Sequence, residues 1–210
     1  LNPSKTNVLW LGPRQQLQKI QVRTVSVLSV TIPVTESAYD LGVVVDSQLM
    51  LSGHVAALCR STYFQLRQIR PIARSLPLTT AKAIIRPFLF CRQDYCNTLL
   101  FGVSDTLVRR LQSVQNAAAR LITGTRRRDH ITPVLHSLHW LPVRRRIEYK
   151  MAVLVYKALR GQLPSYLSDS CHLVTETGAR RLRSADVMTC SVARTRTIFG
   201  DRGFAVAGSA

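Results

Sequence analysis

The chain has 210 residues, is 46% hydrophobic, and sets 29 Lys+Arg against 11 Asp+Glu, for a formal net charge of +18. A chain this apolar can bury a real core, which excludes disorder throughout. A charge this large repels itself on compaction and concentrates polyanions nearby, so nucleic acid leads as the partner class and an anionic membrane surface comes second.

Lys5, Lys19, Lys82, Lys150 and Lys157 are the lysines; the other 24 cations are arginines. A guanidinium matches phosphate oxygens two at a time and never deprotonates. The bias therefore favours phosphate contact over mere solubility. Cys59, Cys91, Cys96, Cys171 and Cys190 are odd in number and follow no paired framework. With no signal peptide ahead of them, they point to reduced thiols and an intracellular setting, cytoplasm and nucleus. No apolar run approaches the roughly 18 residues of a membrane helix, so no membrane partner is expected.

In chain order, residues 1–46 read as a small antiparallel β piece. Its three runs are Val8-Leu9-Trp10-Leu11, the alternating Leu28, Val30 and Ile32, and Leu41-Gly42-Val43-Val44-Val45. The period then turns helical. Val55, Leu58, Cys59, Tyr63, Leu66 and Ile69 form an inward stripe, Arg60, Arg67 and Arg74 repeat at seven on another side, and Pro71 ends or kinks the helix. A second helix starts near Thr79-Thr80 and carries Ala83, Ile84 and Phe88; Pro87 is expected to kink, split or damage it, at about 3 kcal/mol relative to alanine. The clearest helix runs from Ser104 and Asp105 to Gly124. It buries Leu107, Leu111, Val114, Ala118, Leu121 and Ile122 and exposes Arg109, Asn116 and Arg120. A short helix follows from Thr132, with Pro133 at its first position. The next runs from Pro142 to Gly161, with Val143, Ile147, Met151, Leu154, Val155 and Ala158 inward. The fold class is thus mainly α: a helical body over 47–171, preceded by the β piece and followed over 172–210 by an irregular basic tail. A hairpin is expected at Gly200-Asp201-Arg202-Gly203.

Four strings, in order, carry a resemblance: Asp94-Tyr95-Cys96-Asn97, Leu111-Gln112-Ser113-Val114-Gln115-Asn116-Ala117-Ala118-Ala119-Arg120, Asp129-His130-Ile131-Thr132-Pro133-Val134-Leu135, and Leu138-His139-Trp140-Leu141-Pro142-Val143. Together they resemble the reverse transcriptase (RNA-directed DNA polymerase) of LINE-type non-LTR retrotransposons, in its thumb and the region after it. The opening Leu1-Asn2-Pro3-Ser4-Lys5-Thr6 is similar to the end of the palm, Leu41-Gly42-Val43 to the palm exit, and Arg194-Thr195-Arg196-Thr197 with Gly200-Asp201-Arg202 to a later segment. Gln93 departs from the aliphatic residue usual before Asp-Tyr-Cys-Asn, and Pro87 interrupts a helix that the family runs through. The resemblance implies a helical, thumb-like bundle and a polymerase that uses two magnesium ions held by palm carboxylates. It also implies a catalytic turn upstream of Leu1, on palm and fingers of the same polypeptide. This chain has no Asp-Asp pair, so the expectation is a non-catalytic piece with no catalytic residue and no cofactor of its own. Lys5 matches a palm lysine near the incoming nucleotide, where it could serve as point charge or general acid.

The nucleic-acid contacts expected are Arg60, Arg67, Arg74, Arg109, Arg120, Arg126, Arg127, Arg128, Arg144, Arg145, Arg146 and Lys150, gripping RNA, DNA or their hybrid through the backbone. Arg144, Arg145 and Arg146 lie in a helix's first turn, where cations oppose the dipole; an anionic partner would offset that cost. Few aromatics interleave these arginines, which disfavours base stacking. His136, His139, Cys91 and Cys96 lack zinc-site spacing and are assigned to helix packing. Trp140 is read as a core plug. The competing reading is an orphan or domesticated remnant serving as a helical protein-interaction module, or serving nothing.

Overall fold

The computed structural model describes residues 2, 5–27, 29–73, 75–174 and 189–208, with the side chains of 198 and 199 left aside. Arg74, Leu28 and the opening Leu1, Pro3 and Ser4 lie outside the described residues. A one-turn helix α1 (Arg14–Leu17) is followed by strands β1 (Thr24–Val27), β2 (Val30–Pro33), β3 (Ser37–Asp40) and β4 (Val43–Asp46). Then come α2 (Ser52–Ala73), α3 (Leu78–Gln93), a 3-10 turn at Asn97–Leu100, α4 (Asp105–Thr123), α5 (Thr132–Ser137) and α6 (Val143–Leu159). Short helices α7 (Ser165–Ser168), α8 (Ile198–Asp201) and α9 (Phe204–Ala207) close the chain. The fold is mainly α.

The β piece is two antiparallel hairpins, β1–β2 and β3–β4, in place of the three expected runs. Val8 makes only a parallel bridge to Val34, and Leu41-Gly42 forms a turn. Both turn residues have positive φ, +42° and +87°, which matches the right-handed twist of a tight hairpin. A Cβ on Gly42 would stand 3.1 Å from the Tyr95 ring, so the position needs glycine for both conformation and space. β4 then enters the main core through Val43.

That core is one cluster drawn from β4, from α2 to α6 and from the segments between them, centred on Val55, Ile85, Leu89, Leu111 and Val114. α4 lies at its middle and contacts α2, α3, α5 and α6. Its buried stripe matches the sequence pattern, with Leu121 half-buried, and Gly124 ends it at φ +70°. α2 ends two residues past Pro71.

α3 refines the expectation in two ways. It buries Ala81, Ile85, Leu89 and Gln93, while Ala83 and Phe88 are exposed and Ile84 half-buried. It also continues through Pro87. The carbonyl that a proline orphans belongs to the residue four back, here Ala83. Pro87 and Ala83 both face solvent, so water can take up that carbonyl. Gln93 is buried against α4, where its Nε2 donates to the Leu111 carbonyl at 3.2 Å.

The expected hairpin at 200–203 is instead the junction of α8 and α9. The Thr197 hydroxyl accepts from the Gly200 amide at 3.1 Å, capping a helical turn, and Gly203 sits at φ −61° with no left-handed residue to close a hairpin. No helix among the described residues is long and apolar enough to cross a membrane.

Candidate nucleic-acid interface

The strings that carry the family resemblance lie at seams between elements. At Asp94-Tyr95-Cys96-Asn97, Asp94 pairs with Arg146, and the Tyr95 hydroxyl donates to the Leu41 carbonyl at 2.7 Å. Buried Asn97 donates to Asp94 at 3.1 Å. Three packing units meet at four residues. The long α4 string does the same on two edges. The Val143 amide donates to Gln112 at 2.9 Å, and Gln115 donates to the Leu141 carbonyl at 2.8 Å, fixing the entry to α6. On the other edge, the Ser113 and Tyr63 hydroxyls share a 3.0 Å hydrogen bond with α2. Arg202 donates to the carbonyls of Leu49, Leu99 and Phe101, closing the C-terminal segment onto the body. Burial lowers its pKa, opposed by nearby Asp46. Gly102 (φ +70°) lets it approach: an added Cβ would stand 3.0 Å from the Arg202 side chain.

The expected phosphate contacts divide by whether an acid has claimed them. Arg144 pairs with Asp105, and Arg145 with Glu148 at 2.8 Å. Arg146 lies 3.9 Å over the Phe90 ring and pairs with Asp94, its side chain only 11% exposed. Burial lowers the Arg146 pKa and Asp94 opposes the shift. The anion expected to offset these cations at the α6 N-terminus is therefore the protein's own set of carboxylates. Arg146 in particular is an internal strut with no open face for a phosphate. Behind it, buried Trp140 meets Phe90 edge-on at 5.0 Å.

Arg120 is half-buried and donates to the Asp129 carbonyl at 3.3 Å, holding the loop after α4. That loop exposes Arg126, Arg127 and Arg128. Among the described residues, no carboxylate pairs with these three guanidinium groups, nor with Arg60, Arg67, Arg109 or Lys150.

Arg60 and Arg67 share the outward side of α2 with Phe64, which is 62% exposed. Arg60 also lines a cleft of about 320 Å³ with Ala56, Cys59, Tyr63, Arg110 and Ser113. Cys59 and Arg110 line the same cleft and Tyr63 bonds Ser113; both pairs advance along the two helices together, so α2 and α4 run in the same sense there. Arg109 and Arg120 continue along the outward side of α4 toward the 126–128 loop. Arg60 and Arg110 thus share one cleft between two parallel helices, and the exposed 126–128 loop follows the end of α4. Arg110 and Phe64 escape a reading that counts arginines by period on one helix at a time. Only the contact between two helices, fifty residues apart in sequence, brings Arg60 and Arg110 together. Burial pushes the Cys59 thiol pKa up, and Arg110 pulls against that shift.

Lys5 is exposed, and its amide donates to the Asn2 carbonyl at 3.1 Å. His136, His139, Cys91 and Cys96 are exposed, which corrects their assignment to helix packing. All five cysteines are free. Five of the acids are already engaged within the fold. Asp46 holds the turn before α2 by accepting from the Met50 and Leu51 amides at 2.7 Å, Asp129 accepts from the Arg126 amide at 3.1 Å, and Asp94, Asp105 and Glu148 are ion-paired. No group of three metal-binding side chains occurs among the described residues. No family model, curated protein or solved structure matches the chain.

Proposed function

We propose that this chain is a non-catalytic, nucleic-acid-gripping part of a retrotransposon-type RNA-directed DNA polymerase, holding the backbone of a template–primer duplex on its α2–α4 face. The observation that carries the grip is the cleft where Arg60 and Arg110 converge from two helices with no carboxylate on its walls. Two guanidinium forks and two hydroxyls around one opening suit phosphodiester oxygens. The polymerase ancestry rests on the ordered motif strings. Their positions at packing seams support it, since residues that fix a fold's joints are the ones a related fold would share. Synthesis itself would require the carboxylates of a palm and fingers, so the chain alone is expected not to extend a primer.

The test is fluorescence anisotropy of a labelled RNA–DNA hybrid across a salt series. Arg60, Arg67, Arg109, Arg110 and two of the loop arginines provide for about six phosphates, which gives a log–log slope of about −5. Arg60→Ala with Arg110→Ala is expected to flatten that slope by about 2. Binding that ignores salt, or a double variant that keeps the full slope, would reject the grip.

A further inference from the structure

The outer face of α6 carries aromatic and basic side chains that the α2–α4 grip leaves unused. Arg145, Tyr149, Ala152, Tyr156 and Arg160 recur at steps of three and four residues and are all exposed. They lie opposite the buried Val143, Ile147, Met151 and Ala158. Tyr149 is 66% and Tyr156 52% exposed, which leaves ring area on one helix face open to a partner. Seven residues separate them, about 10 Å along the helix axis. The Arg160 guanidinium lies 4.7 Å over the Tyr156 ring. Lys150 and Lys157 flank the stripe with no ion pair among the described residues, and Glu148, the acid of this helix, is taken by Arg145.

We propose that this face is a stacking platform for single-stranded nucleic acid. An exposed ring gains by stacking only on a base whose own face is open; in a duplex those faces are covered by neighbouring bases. Cations alone would bind either form. Here two rings lie side by side between two cations along one helix, so neighbouring bases could stack while phosphates meet the cations at either end. The platform is also separate from the cleft. The α4 edge bearing Arg110 and Ser113 meets α2, and the edge bearing Gln112 and Gln115 holds the entry to α6. With α4 between them, a duplex and the unpaired strand leaving it can be held together. The platform goes beyond the duplex grip and stands on different residues.

The experiment measures binding of the full chain to a labelled oligothymidylate and to a duplex of the same length. Tyr149→Ala with Tyr156→Ala is expected to weaken oligothymidylate binding by about a hundredfold, tenfold for each ring, and duplex binding by less than about twofold. Tyr149→Phe with Tyr156→Phe, which keeps the ring faces, should bind like the native chain. Both pairs alter exposed side chains, and an unchanged circular dichroism spectrum confirms the fold. Equal losses on the two ligands, no loss on oligothymidylate, or a phenylalanine pair as weak as the alanine pair would each overturn the platform. So would a glutamate–tyrosine copolymer that outcompetes oligothymidylate for the tyrosines, which would assign the face to an acidic protein segment. If the duplex grip alone is wrong, duplex binding fails while oligothymidylate binding persists, so the two readings fail separately.

Discussion

Arg126–Arg128 and Arg144–Arg146 are the same three letters in one chain, yet the fold treats them differently. The first run sits on an exposed loop beyond the end of α4, where its backbone is pinned by Asp129 and Arg120 while its guanidinium groups meet no acid. The second starts α6, and each of its members meets a carboxylate: Asp105, Glu148 or Asp94. A net charge of +18 counts both runs alike. What separates them is long-range packing, since Asp105 precedes Arg144 by 39 residues and Asp94 belongs to the segment after α3. On the proposed reading, an arginine run is left fully free for a polyanion where the rest of the chain supplies no acid to it, and is least free where, as at Arg146, the pair is buried.

The sharpest way to break this comparison is to change one arginine from each run. Arg146→Ala leaves Asp94 unpaired and empties the space over Phe90. Severing a fully buried pair costs about 3–5 kcal/mol; with Asp94 40% exposed, we expect about 2–3 kcal/mol in urea unfolding. Arg127→Ala should stay within about 0.5 kcal/mol. Equal stability losses would mean that Arg146 is no strut. The next effect reverses the order. Replacing Arg126, Arg127 and Arg128 by alanine should flatten the salt dependence of hybrid binding by about 1.8, at about 0.9 for each of the two phosphates the loop holds, and leave the melting temperature in place. Arg146→Ala, measured where it remains folded, should keep the native slope. A flat response from the loop triple with a strong one from Arg146 would invert the comparison.

The sequence made the helical body legible because its signal is local and periodic. The Leu107, Leu111, Val114 and Ala118 stripe with its glycine stop specifies α4 without any partner. α3 was harder, since Ala83, Ile84 and Phe88 are as apolar as Ala81, Ile85 and Leu89, and only the position of α4 decides which set is buried. Buried Gln93 was visible as an oddity and became intelligible only through the Leu111 carbonyl it meets. The candidate interface was half legible. Periodicity on α2 found Arg60 and Arg67, but Arg110 needed the packing of α4 on α2. Tyr149 and Tyr156 hid within an otherwise ordinary amphipathic helix. Arg144–Arg146 misled for the opposite reason, because nothing local to the run announces Asp94 or Asp105.

The smallest effect tests the cause directly by freeing the second run. Asp105→Asn with Glu148→Gln removes the charges beside Arg144 and Arg145 while keeping side-chain size and hydrogen-bonding capacity. Both pairs lie at the surface, with side chains 39–71% exposed, where such pairs contribute about 0–1 kcal/mol each. Stability should therefore fall by at most about 2 kcal/mol, part of it the loss of Asp105 from the positive end of α4. If acids are what silence these arginines, hybrid binding should gain slope, up to about 1.8 for two further phosphates neutralised. The increase in affinity is held to a few-fold, since a phosphate can already displace an exposed carboxylate at little cost. An unchanged slope would show that position, and not pairing, keeps Arg144 and Arg145 away from nucleic acid; α6 would then reach its ligand only through the outward face that carries Tyr149 and Tyr156.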